Sequence, residues 1–189
     1  MASLIALFDA CVLYPAPLRD LLMHLSLTDL FQAKWTDEIH DEWIRNVLKN
    51  RPDLTKQQLE RTRNLMNLHT RDCLVEGYQK LIPKLQLPDE NDRHILAAAI
   101  RAKASVIVTY NLSDFPSSLL KEYGIIAQHP DLFIIQLIHL APSMVCTAIK
   151  RLRLSLKNPS KTVNEYLSIL EKQRLNKTIN ELTNYKDYL

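Results

Sequence analysis

Leu4-Ile5-Ala6-Leu7-Phe8 is an unbroken apolar run closed by Asp9, and Ala104-Ser105-Val106-Ile107-Val108-Thr109 is a second, rich in β-branched residues. Such runs, with no polar alternation, are consistent with strands buried on both faces. Residues 124–127 read as a third strand and 33–35 as a short fourth. Helical patterns separate them. Residues 17–27 begin with proline at a first-turn position and carry Leu18, Leu21, Leu22 and Leu25 on one stripe. Further helices are expected over 37–48, 55–68, 91–103 and 117–122. Strands alternating with helices predict an α/β fold with a central parallel sheet.

From about residue 131 onward only helical signals remain, over 132–140, 143–156 and 163–183. The charge also shifts. Residues 150–189 carry nine Lys/Arg and four acids, a balance of +5, so residues 1–149 carry −2 of the chain's net +3. The expected organisation is an α/β domain of residues 1–135 and a basic α-helical C-terminal extension of residues 136–189 packed on it.

The 189 residues, 47% of them hydrophobic, suffice for one sizeable core. The two glycines, Gly77 and Gly124, are too few for a Gly-rich phosphate loop. Cys11, Cys73 and Cys146 are odd in number and form no CxxC pair, which argues against a disulfide framework or a thiolate zinc site. A reducing compartment, the cytoplasm, fits best. The apolar run from Ala2 to Leu7 has no basic flank and is cut by Asp9, so it reads as strand rather than signal peptide. Residues 131–149 are the most apolar long stretch. They contain Asp131, Gln136, His139 and Pro142, which predicts a buried helix pair and no membrane span.

Ligands of parallel sheets bind beyond the carboxyl ends of the strands. Asp9 follows the first run. Asn111 and Asp114 follow the second, and Asp92 opens the helix that begins Asp92-Arg93-His94-Ile95. Residues three and four apart share a helix face, so Asp92 lies on the stripe of Ile95, Leu96 and Ala99, at the rim of the core. A plainer reading makes Asp92 a first-turn acid favoured by the helix dipole, with Asp89 as N-cap. Several carboxylates at one sheet edge repel one another, and a divalent cation removes the conflict. All-oxygen ligands favour Mg²⁺ or Mn²⁺.

Four blocks carry a family resemblance: Phe8-Asp9-Ala10-Cys11-Val12-Leu13-Tyr14-Pro15, Trp35-Thr36-Asp37-Glu38-Ile39 with Glu42, residues 87–99 around Asp92, and Val106-Ile107-Val108-Thr109-Tyr110-Asn111-Leu112-Ser113-Asp114-Phe115. Their order and spacing resemble PIN-domain proteins over roughly residues 4–135. The resemblance implies a metal-dependent ribonuclease fold with Mg²⁺ or Mn²⁺ as cofactor. Many bacterial members are VapC-type toxins paired with an antitoxin, so RNA and a cognate antitoxin protein are the implied partners. A homodimer is left open. Residue by residue, Asp9, Glu42, Asp92 and Asp114 match the family's catalytic, metal-holding acids. Asn111 stands where many members carry a further Asp. It can offer a neutral oxygen or orient a water, so it is at most auxiliary.

The helical wheel of residues 37–48 does not single out Glu42, which can equally pair with Arg45 or Asn46 on a solvated face. The six histidines show no metal-ligand spacing, and His94 and Arg93 read as solvent-facing. An aspartyl phosphotransferase would place a second acid two residues after Asp9, where this chain has Cys11. The basic tail can bind RNA backbone, although a packed extension with a solvated cationic face is preferred. No interleaved aromatic motif for single-stranded RNA is visible. A non-catalytic PIN-like interaction module and, lower in rank, a structure-specific DNA nuclease remain as alternatives.

Overall fold

A computed structural model describes residues 4–189. Ala2 and Ser3, the start of the expected first strand run, lie outside the described residues. In chain order the elements are β1 (Leu4–Phe8), α1 (Ala10–Leu13), α2 (Ala16–Ser26), β2 (Phe31–Lys34), α3 (Asp37–Asn50), α4 (Lys56–His69), α5 (Arg93–Ala102), β3 (Val106–Val108), α6 (Ser117–Leu120), β4 (Ile126–Gln128), α7 (Pro130–Leu140), α8 (Pro142–Ser155), α9 (Val163–Glu171) and α10 (Asn176–Leu182), with short 3-10 turns between several of them. The chain gathers into two compact units. One comprises residues 4–14 with Phe31–His129, the other Pro15–Leu30 with Pro130–Leu189. The division expected from sequence, at 135/136, is linear, whereas each unit is built from two segments.

The first unit holds a four-stranded parallel sheet of order β2-β1-β3-β4, flanked by helices. Its two central strands are the two apolar runs, and Leu7, Ile107 and Val108 are completely buried. Phe8 pairs with Val108 in register, so both strands end at one level. β1 is followed in the chain by β2 on one side, while β3 lies on the other. The gap between β1 and β3 is therefore the point where the strand order reverses and a crevice opens.

The local signals for the helices are plain. Thr36 caps α3, its hydroxyl accepting the Ile39 N–H. Thr55 and Gln58 form a reciprocal capping box on α4. The 3-10 turn after α6 closes on Gly124 at φ +67°, a left-handed conformation that a residue without a Cβ adopts freely. Under the sheet edge, Asn67 Oδ1 accepts from Trp35 Nε1 at 2.8 Å and meets His40 Nε2 at 3.0 Å, while Trp43 Nε1 donates to His40 Nδ1 at 2.9 Å. An indole can only donate, so Nδ1 is the bare nitrogen and Nε2 carries the proton. His40 is thus held neutral, and burial pushes its imidazole down to about 4.

In the second unit, the expected pair over 131–149 is α7 and α8, broken at Ala141-Pro142. No helix among the described residues is long and apolar enough to cross a membrane. The helical pattern over 163–183 is not continuous. It divides into α9 and α10, and Arg174 between them takes φ +58°. The break has a tertiary cause. The buried Asp131 carboxylate of α7 accepts the N–H groups of Lys177 and Thr178, at 3.0 and 2.8 Å, and so caps a fresh helix start.

Candidate functional site

The strand register builds the site outward from Asp9. Its backbone N–H donates to Val108 O at 3.1 Å, extending the β1–β3 ladder by one residue. This places Asp9 beside Thr109, which follows β3. The Thr109 hydroxyl donates to Asp9 Oδ2 at 2.6 Å and itself accepts the Asn111 N–H at 2.9 Å. The Cys11 thiol also donates to Oδ2, at 3.2 Å, and accepts the Tyr110 N–H. Burial, then the charge of Asp9, pushes this thiol well up, so Cys11 is a hydrogen-bonding group and not a nucleophile. Asp9 is only 4% exposed, and one of its oxygens is already committed to two donors.

Asp92 stands at the N-cap position of α5 but makes no side-chain cap. Asp89 does cap, accepting the Asn91 N–H at 2.8 Å. Burial raises the Asp92 carboxyl to about 7, followed by the charges of Asp9, Asp89, Asp114 and Glu42. Burial and Asp9 likewise raise Glu42, against a lowering contribution from Arg45. Asp9, Glu42, Asp92 and Asp114 therefore share one field, drawn from four separate segments. Asn111 precedes the 3-10 turn of Leu112–Asp114 and is exposed.

His94 departs from the expectation of a solvent-facing residue. It is 7% exposed, with Nε2 at 3.7 Å from Glu42 and Nδ1 at 3.7 Å from Glu38. Glu38 in turn accepts the Tyr78 hydroxyl at 2.8 Å. Burial lowers the His94 pKa while Glu38 and Asp9 oppose that shift. The reason sequence reasoning missed it lies in α5, where His94 through Ala99 are all buried. A helix enclosed on nearly every side offers no polar face to read; Arg93, also expected to face solvent, is only 23% exposed in its side chain and pairs with Glu90.

The donor chemistry suits a hard divalent cation: oxygen ligands, partial burial, and carboxylates raising one another. Among the described residues, no three His, Cys, Asp or Glu side chains stand close enough to form a ready-made metal cage. The acids share an electrostatic neighbourhood without converging on a point.

A PIN-domain family model matches residues 6–113, more than half of the chain. The chain belongs to the PIN-domain family. The PIN match takes in the last three residues of β1 with Asp9, all of β2 and β3, Glu42 and Asp92, and ends one residue before Asp114. A second model, the VapC50 C-terminal domain, matches residues 130–184, nearly all of the second unit's longer segment. The chain is also 51% identical over 59 residues to a protein of Mycobacterium tuberculosis strain H37Rv named "Putative ribonuclease VapC50". That stretch covers 31% of this chain and 34% of the relative. No solved structure matched the chain.

Proposed function

We propose that this PIN-domain protein is a divalent-metal-dependent endoribonuclease, the toxin partner of a toxin–antitoxin pair. One observation carries the reading: Asp92, part-buried at the reversal point of a parallel sheet, has its carboxyl raised to about 7 with Asp9, Glu42 and Asp114 among the causes. A cluster that disfavours its own charge is stabilised by a cation. The ion would be held by Asp9, Asp92, Asp114 and Glu42, with Asn111 offering a neutral oxygen. When bound it would lower the pKa of a water and stabilise charge developing on a phosphodiester.

The chain's own groups prepare that chemistry. Thr109 and Cys11 fix Asp9 by both donating to Oδ2, and Oδ1 takes no part in those two hydrogen bonds. His94 lies between Glu38 and Glu42 and restrains where the Glu42 carboxylate can go. Asp9 is buried while Glu42, Asp92 and Asp114 are half-buried, and that partial exclusion of water strengthens the electrostatic interactions among them.

The test is RNA and DNA cleavage by the purified chain in Mg²⁺ or Mn²⁺ and in chelator, beside Asp9→Asn. Metal-dependent RNA cleavage that Asp9→Asn abolishes supports the reading; DNA cleavage alone redirects it to a DNA nuclease. Growth arrest on induction, relieved by co-expressing a neighbouring antitoxin gene, would support the toxin assignment. A second reading, a non-catalytic interaction module, is favoured by Asn111 and by the absence of a ready-made cage among the described residues. It predicts no cleavage of either nucleic acid.

A further inference from the structure

The second unit contains a cleft of about 500 Å³ where the start of α2, the end of α8 and the helix α9 meet. That volume is in the range of small-molecule sites. Pro17, Leu152, Leu156, Pro159 and Ile169 give it apolar walls. Asp20, Lys157, Lys161 and Tyr166 bring polar groups to the same space. Every residue that lines it belongs to the second unit, so the cleft is separate from the acids around Asp9.

Tyr166 is 3% exposed, and its hydroxyl is buried without a hydrogen-bond partner among the described residues. Burial, then the charge of Asp20, pushes the phenol well above its ordinary range, so the hydroxyl keeps its proton. It is a buried donor with no acceptor, which is costly unless something that enters the cleft supplies one. The same influence sets Asp20 close to that donor. The Asp20 carboxylate takes part in no hydrogen bond or ion pair among the described residues, and Arg19 and His24 act on it only through their charges. Lys157 and Lys161 stand on the turn between α8 and α9, which Arg153 fixes by donating to Lys161 O at 2.8 Å. Neither lysine forms an ion pair among the described residues, although the charge of Lys161 is felt by Glu165.

The unmet needs are specific: an acceptor for Tyr166, a cation for Asp20, an anion for the lysines, and apolar surface for the walls. We propose that this cleft binds a small zwitterion with an apolar side chain, of the amino-acid or dipeptide class, with its carboxylate at the Tyr166 hydroxyl and the lysines and its ammonium at Asp20. A purely anionic ligand would face Asp20 with a like charge. A purely cationic one would face the lysines and leave Tyr166 without an acceptor.

The full-length chain is titrated by calorimetry, in chelator, against L-leucine, L-phenylalanine and the dipeptide Leu-Leu, beside N-acetyl-leucine and leucinamide. At least one of the three zwitterions should bind. The two blocked derivatives should bind at least about tenfold more weakly, because each leaves a polar group of the cleft unpaired. Tighter binding of Leu-Leu than of either amino acid assigns the cleft to peptides, and the reverse order assigns it to free amino acids. Asp20→Asn and Tyr166→Phe should each weaken binding by about tenfold or more. Without ligand, Tyr166→Phe should melt at or above the wild-type temperature, because the orphaned hydroxyl is gone. A tyrosine with a purely structural role predicts a lower melting temperature and unchanged affinity. No binding of any of the three zwitterions overturns the proposal, and so does binding that both variants leave unchanged.

Discussion

At Asp92, burial and neighbouring carboxylates raise the carboxyl to about 7 from its ordinary 3.8. The folded state therefore holds this proton more tightly than the unfolded chain does. The associated stability is fully present below pH 4 and is lost as pH rises through 7. Asp92→Asn cannot ionise and escapes that loss. In chelator its stability relative to wild type should grow between pH 4 and 7 and level off above, by about 1–2 kcal/mol after allowance for solvent screening. RNA cleavage should vanish in the same variant. A plain first-turn acid predicts the reverse: a variant destabilised by about 0.3–1 kcal/mol that still cuts RNA. Asn111 supplies the complementary test. Asn111→Asp adds a carboxylate to the shared field, so Mn²⁺ affinity by calorimetry should rise. The metal-free protein should lose stability, by under about 1 kcal/mol because the position is exposed.

Among the elements, β1 and β3 were legible because continuous apolar runs have few other uses, and their ends then located Asp9 and Asn111. The first turn of α5 was legible for Asp92, through its spacing to Ile95 and Ala99, but not for His94, whose burial depends on neighbours from α3. Glu42 was chosen by family pattern alone, since the α3 wheel gives it no distinction. The division between α9 and α10 was hidden for a related reason: the residue that caps α10 sits 46 positions upstream of the first N–H it accepts. Asp131→Ala should cost about 1–3 kcal/mol, because two backbone N–H groups lose a buried acceptor. Asp131→Asn, which keeps one carbonyl oxygen, should cost less. Chemical denaturation of both variants checks the order.

At the scale of the whole molecule, an ion that binds only the folded chain stabilises it by mass action, about 2.7 kcal/mol at a hundredfold excess over Kd. For a chain of this size that corresponds to a rise in Tm of about 5–10 °C. Mn²⁺ or Mg²⁺ should raise the melting temperature of wild type and do so far less for Asp9→Asn, with chelator reversing the gain. Equal shifts would place the ion elsewhere. The network of Trp35, Trp43, His40 and Asn67 has a separate consequence, for spectroscopy. The chain contains two tryptophans, both buried in the first unit, so indole emission is a private reporter of that unit. Substitutions in the second unit, such as Asp131→Asn, should leave the emission maximum where it is in wild type. Asn67→Ala, which removes the oxygen that Trp35 donates to, should shift it to longer wavelength as water reaches the ring.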